Sequence, residues 1–250
     1  MQEADAVVDW TGRPFSCEDC PHLPIREAGR CVLGRICVRD QRARRIDRFF
    51  SANAGLVGDY LDHPYFEIRT LAAKHASVFM LPRLMHDKDP EVRAMVAMRL
   101  PLTRVREMSD DADRKVRIAC AMRLQGGDLL RMFADDDYYV RLTAARRLDP
   151  ALLPVASADE EPEVRRMVAR RLPADRLAPF AFDADPLVRR EAAERIHSAN
   201  LHLFVHDADL RVRYIAAERG DLHVARRLRN DSDAAVADMA RRRIDELENV

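Results

Sequence analysis

The chain contains no run of 18 apolar residues, so no transmembrane helix is expected. Met1 to Trp10 is acidic and lacks the apolar core of a secretory signal, which makes a cytoplasmic location the expectation. There is no excess of either charge: Lys+Arg and Asp+Glu are both 42, which excludes a uniformly basic nucleic-acid binder and an acidic tail protein. Aromatics are only 6% of the residues, and among the basic residues only Lys74, Lys88 and Lys115 are lysine. Arginine, the fork-shaped cation, suits carboxylate pairing. No G-x-S-x-G, P-loop, G-x-G-x-x-G or C-x3-C-x2-C pattern occurs, and the eight histidines are scattered, so the chain is expected not to be an enzyme. What remains is 48% hydrophobic, enough for a core, and 34% charged, high enough to suggest a large surface relative to that core.

The first positive feature is a strict internal repeat. Ile68, Val92, Val116, Val140, Val164, Val188, Val212 and Val236 recur every 24 residues. The next residue is Arg69, Arg93, Arg117, Arg141, Arg165, Arg189 or Arg213, and fails only at Ala237. Alanine stands five after the valine in seven units, from Ala73 to Ala217. Three before the valine stand Asp89, Asp113, Asp137, Glu161, Asp185, Asp209 and Asp233.

These residue types explain themselves. An aspartate three before the valine sits where a helix N-cap should, accepting orphan backbone N–H groups. Pro90, Pro162 and Pro186 follow at the first helical position, where proline is tolerated. The valine, the small pair such as Ala144 and Ala145, and a later Leu or Ile share one face of an α-helix. Between successive helices the apolar residues fall three apart, as in Val78, Leu81 and Leu84, or Leu102, Val105 and Met108. That spacing predicts a 3₁₀-helix, with a short α-turn as the alternative. No segment shows strand alternation. The repeated arginines are read as an ion ladder, with Arg93 reaching Asp89, Asp111 or Asp113.

One such unit cannot bury its apolar face alone, so the units must stack as a solenoid. At 24 residues they are about half the length of HEAT-type repeats. In period and motif, residues 62–248 resemble the leucine-rich repeat variant family. The resemblance implies an all-α, right-handed superhelical solenoid in which α- and 3₁₀-helices alternate.

Cys17, Cys20, Cys31 and Cys37 form a C-x2-C-x10-C-x5-C cluster among turn-forming prolines and glycines. Four close thiols in a reducing compartment point to a metal. Spacing alone leaves tetrahedral zinc and an iron–sulfur cluster both open. Arg13, Arg26, Arg30, Arg35 and Arg39 could offset a cluster's negative charge. The leucine-rich repeat variant family carries an N-terminal four-cysteine [4Fe–4S] module, and the resemblance implies these four cysteines as its ligands. Cys120 occupies a small-residue core position of a repeat, and His22 is expected to be solvent-exposed.

The expected organisation is therefore a cysteine-rich module at 1–40, a degenerate capping repeat at 41–61 with a helix over Val38–Phe50, and eight helical repeats at 62–250. The expected function is a non-enzymatic protein-interaction scaffold with a structural or redox-sensing [4Fe–4S] cluster and an unidentified protein partner. An electron carrier is one alternative; a zinc-containing or nucleic-acid-binding repeat protein is another. Arg146, Arg166, Arg170 and Arg190 are not required by the repeat and form a candidate partner-binding patch. Glu191, Glu194 and Glu218 beside them favour a solvated helix face over a nucleic-acid site. Known members of the family come from nitrogen-fixing bacteria, which implies an accessory role there.

Overall fold

The computed structural model describes residues 7–18 and 20–249. These residues are helical or irregular, with three isolated bridge pairs in place of a sheet. They fall into two compact units, Met1–Leu124 and Gln125–Val250. In the first, α-helices Ala43–Ala52, Phe66–His75, Pro90–Arg99 and Arg114–Ala121 succeed one another. In the second the helices are Tyr138–Ala145, Pro162–Arg171, Pro186–Arg195, Leu210–Arg219 and Ala234–Glu248. Among the described residues no helix is long and apolar enough to cross a membrane.

The repeat positions do what their chemistry predicts. The valines and the small pair are buried: Val164, Val168 and Ala169 are fully buried, as are Val188, Ala192 and Ala193. Small side chains here allow neighbouring helices to approach. Asp89, Asp113, Asp137, Asp185, Asp209 and Asp233 cap their helices by accepting backbone N–H groups. Glu161 occupies the same position and makes no side-chain cap. Its extra methylene takes the carboxylate past the N–H groups that an aspartate reaches.

The connecting segments split between the two expected conformations. They are 3₁₀ at Ala54–Tyr60, Val78–Leu84, Pro150–Ala156, Ala178–Phe182 and Ser198–Phe204. They are short α-helices at Leu102–Glu107, Gly126–Arg131 and Leu222–Leu228. Pro82, Pro154 and Pro179 lie in 3₁₀ segments, whereas none of the three α segments contains a proline. Burial follows the spacing of three, with Leu81 and Leu84, or Leu177 and Phe180, turned inward.

The arginine ladder exists, and its partner is the farther carboxylate. Arg93 Nε and Nη2 donate to both oxygens of Asp111 at 2.7 and 2.8 Å, eighteen residues on, and not to Asp89. Arg69–Asp87, Arg165–Asp183, Arg189–Asp207 and Arg213–Asp231 repeat this fork. The remaining nitrogen of each arginine donates to a carbonyl of its own repeat's entry loop, as Arg165 does to Asp159. The aspartate also accepts the backbone N–H two residues on, as Asp183 does from Asp185.

A second arginine series, seven after the valine, ties each helix to the C-terminus of the one before. Arg99 donates to the Ala73 and Ala76 carbonyls at 3.0 Å, and Arg123 to those of Ala97 and Leu100. Arg171, Arg195 and Arg219 repeat the contact, reaching carbonyls of Ala145, Ala169 and Ala193. These carbonyls end a helix, where cations are favoured. In the first repeat His75 takes this position and pairs with Asp47 of the capping helix at 2.7 Å.

The capping helix is shorter than the expected Val38–Phe50 span. It begins at Ala43, because Val38 and Asp40 are buried in the cysteine-rich segment. Asp40 accepts from the Arg42 N–H and from Arg45 Nη1, holding an extended turn.

Two predictions follow from the ladder. Arg165→Met strands the buried Asp183 carboxylate and should cost about 3 kcal/mol in urea unfolding. Adding Asp183→Asn, which still accepts the Asp185 N–H, should recover a large part of that loss. The second concerns acid. Burial alone would raise the carboxyls of Asp87, Asp111 and Asp183, but the arginine forks and backbone N–H groups hold them below their ordinary value. For Asp231 the Arg213 fork is the largest influence, with the same result, and the Arg211 side chain holds Asp209 at about 2. A depressed folded pKa contributes stability that is fully present above the unfolded value, about 3.9, and lost as pH falls through the folded one. The thermal midpoint should change little on this account down to about pH 5 and drop steeply below about pH 4.

Candidate metal centre

The cysteine-rich segment is built from turns. The Cys20 N–H donates to the Cys17 carbonyl at 3.2 Å, closing the C-x2-C knuckle. Val32 and Ile36 exchange backbone hydrogen bonds of 2.7 and 2.8 Å across a tight loop. Gly34, with φ of 72°, occupies that loop in a conformation that a side chain would strain. Cys31 and Cys37 flank this pair, so closing the loop brings their thiols within hydrogen-bonding reach of each other.

Cys31 is the hub of the four. It lies within hydrogen-bonding reach of Cys37 and electrostatic reach of Cys17 and Cys20. Cys31 and Cys37 are buried, and Cys17 and Cys20 are half-buried. Burial, reinforced by the charges of Cys20 and Cys17, pushes the Cys31 thiol up. Burial pushes Cys37 up to about 12, against the lowering effect of backbone N–H groups of Arg39 and Asp40. Such thiols stay protonated until a metal displaces the proton. The N–H groups aimed at Cys37 are the kind of donor that stabilises a cluster's thiolate sulfur. The donor set therefore fits an iron–sulfur centre. Among the described residues no three His, Cys, Asp or Glu side chains are disposed around a single ion.

The charge of Arg26 eases ionisation of Cys31. Arg39 lies over the Phe15 ring, 4.7 Å from its centroid, and the charge of Arg13 acts on Asp9. Cys120 is buried at a repeat-core position with its thiol 3.6 Å from the Val105 carbonyl, and burial pushes it up to about 12.

The segment is fastened to the capping repeat. The Asn53 side-chain amide donates to the carbonyls of Arg30 and Phe49 at 2.8 and 2.9 Å. The Cys37 N–H donates to the Arg45 carbonyl. His22 is not solvent-exposed as expected. It is half-buried against the Phe49 ring, and its Nε2 meets the Tyr60 hydroxyl. Tyr60 in turn feels Cys20, Cys31 and Cys37. Sequence reasoning missed Asn53 and the backbone donors, because neither belongs to a repeated or spaced motif; Tyr60 continues the spacing of three of Ala54 and Val57, which marks a core position and not a neighbour of the thiols.

The arginine patch is only partly brought together. Arg166, Arg170 and Arg190 line one recess of about 130 Å³ with Leu187, Glu191 and Glu194. Arg146 does not line that recess and lies over the Tyr139 ring at 5.5 Å. Glu191, read from sequence as part of a solvated face, is 7% exposed and grips Arg170 at 2.7 Å.

Fold and site together define an all-helical repeat protein with a thiolate-rich centre beside its first repeat. The chain matches the solved structure described as a leucine-rich repeat variant with a novel repetitive structural motif. Identity is 37% over 92% of this chain and 98% of that one, with a TM-score of 0.85. It belongs to the leucine-rich repeat variant family. Residues 7–59 match the family described as "LRV protein FeS4 cluster", and residues 162–185 match "Leucine rich repeat variant". The centre is thus an iron–sulfur one. A Rhodobacter capsulatus protein, "Uncharacterized 27.7 kDa protein in nifB 3'region", is 48% identical over 101 residues. That match spans 40% of this chain and 41% of the Rhodobacter protein.

Changing Cys17, Cys20, Cys31 or Cys37 to Ala should bleach the visible absorption of anaerobically purified protein. Cys120→Ala should leave the spectrum intact, since alanine fills that position in other repeats. Helical circular dichroism should persist in every case, because a repeat array is held by nearest-neighbour contacts. Global loss of helix in Cys31→Ala would show instead that the cluster organises the whole fold.

Proposed function

We propose that the protein is a non-enzymatic interaction scaffold whose [4Fe–4S] cluster is structural or redox-sensing, bound by Cys17, Cys20, Cys31 and Cys37. The observation that carries this reading is the fastening of the thiol cluster to the capping repeat through Asn53, Cys37 and His22. A cluster held by such contacts is positioned to couple its own state to the end of a repeat array. When bound, the cluster supplies four metal–thiolate links and a one-electron redox centre. The protein's own residues bury two of the sulfurs and direct backbone donors at Cys37. The partner is another protein, and the setting is cytoplasmic. The Rhodobacter relative is encoded in the nifB 3' region, which supports an accessory role in a nitrogen-fixing bacterium.

One observation favours the electron-carrier reading instead. Aromatic rings lead outward from the thiols: Tyr60 to His63 at 6.2 Å, His63 to Trp10 at 5.7 Å, and Trp10 stacked on Tyr65 at 5.5 Å. Trp10 is 39% exposed.

Anaerobic purification with iron, sulfide and zinc analysis tests the cofactor. Iron and sulfide in equal amounts, with an electron paramagnetic resonance signal of a [4Fe–4S] cluster after reduction, is the expected result; zinc alone would refute it. Reversible voltammetry then separates the two roles. A fast couple in the physiological range, slowed in Trp10→Leu, would replace the scaffold by a carrier.

A further inference from the structure

The second unit has a feature that neither the ladder nor the cysteines use. The recess holding Arg166 continues into a second one, of about 450 Å³, with Arg190 and Glu194 common to both. Leu210, Tyr214 and Ile215 give the second recess an apolar floor, and Glu218 stands at its far side. Leu187 and Leu210, in the first turns of adjacent helices, are 38% and 45% exposed. The groove therefore crosses three successive helices, Pro162–Arg171, Pro186–Arg195 and Leu210–Arg219.

Its charges sort into two kinds. Arg170 is paired with Glu191, and Arg190 with Glu194. Arg211 is paired with Asp209, and Arg219 is spent on the Ala193 and Ile196 carbonyls. These groups ask nothing of a ligand. Arg166 and Glu218 differ, for neither has a hydrogen-bonded or ion-pair partner among the described residues. The groove thus carries one unanswered cation near one end, one unanswered anion near the other, and apolar surface between them.

Resting on the scaffold reading, we propose that this groove docks an extended partner segment bearing a carboxylate for Arg166, aliphatic side chains for the apolar floor, and a basic side chain for Glu218. The spacing follows from helix geometry. Two interhelical steps of about 8–10 Å separate the charged ends. Allowing for one helical turn of offset, an extended chain at about 3.3 Å per residue spans that distance in roughly five or six residues. The order acid, apolar, base fixes the polarity of the bound segment, because the reversed order sets like charges against each other.

The test uses the full-length, cluster-loaded protein and a fluorescent peptide of about a dozen residues. An aspartate is followed roughly five positions later by a lysine, with leucines between. A second peptide has the two charges exchanged. Anisotropy should show the first binding about five- to tenfold more tightly, a preference that shrinks at high salt. Arg166→Glu and Glu218→Arg should each weaken the first peptide by a few-fold, and the double variant should prefer the exchanged peptide. Neither side chain has a partner to lose, so thermal midpoints should stay at the wild-type value and separate binding from folding. Equal affinity for both peptides, no binding of either, or indifference to both substitutions would overturn the groove. If a protein partner were captured by the wild type and by Arg166→Glu alike, the scaffold would stand and this surface would not be its docking site.

Discussion

The fork between an arginine and the aspartate eighteen residues on is the constraint from which the rest of the molecule follows. Each fork joins one repeat's helix to the next repeat's entry loop, and the same aspartate holds that loop's backbone. The arginine and aspartate side chains are nearly buried, 13% and 8% exposed for Arg165 and Asp183. Desolvating such a pair costs several kcal/mol per ion, and only a bidentate geometry with every remaining donor satisfied offsets it. No buried side-chain nitrogen or oxygen among the described residues lacks a partner, so the condition is met. The pairs add register more than raw stability. Apolar burial of valine and alanine would tolerate small slips between helices, whereas a two-pronged fork would not.

The second arginine series works from the opposite end of each helix. It neutralises carbonyls that the abrupt switch to the connecting segment leaves without intrahelical partners. Together the two series pair charges and carbonyls between successive repeats. They leave the exposed helix face free to differ from repeat to repeat, with tyrosine at 139 where leucine stands at 187, and arginine at 170 where glutamate stands at 194. A repeated frame with a variable face is what an interaction surface requires.

The capping repeat departs from the frame where it meets the cysteines. Arg44 stands at the valine position, and the helix starts late because Asp40 holds an extended turn. That turn carries the N–H groups directed at Cys37. The thiol cluster and the first helix therefore share one short stretch of backbone, and neither can be repositioned without the other. Burial of Cys31 and Cys37 pushes both thiols up, so loading the centre must displace their protons.

Much of this was legible in the residues. A period of 24 without slippage, an N-capping aspartate and a valine–alanine face specify a stacked α-helix, and four close cysteines specify a metal centre. Both conclusions rest on local chemistry that a linear sequence records. The aspartates two before the caps and the second arginine series also recur with the same period, but periodicity marks a position without naming its partner. Arg93 could reach Asp89 four residues away or Asp111 eighteen away. Only the distance between stacked helices decides for Asp111. The 3₁₀ or α character of the connectors, the burial of Glu191, and the packing of His22 between Phe49 and Tyr60 were likewise settled by neighbours distant in sequence. The sequence determined which groups exist and at what spacing. Tertiary structure decided which charges would be spent on one another and which, like Arg166 and Glu218, would be left for a partner, because pairing depends on proximity across helices that the linear order does not contain.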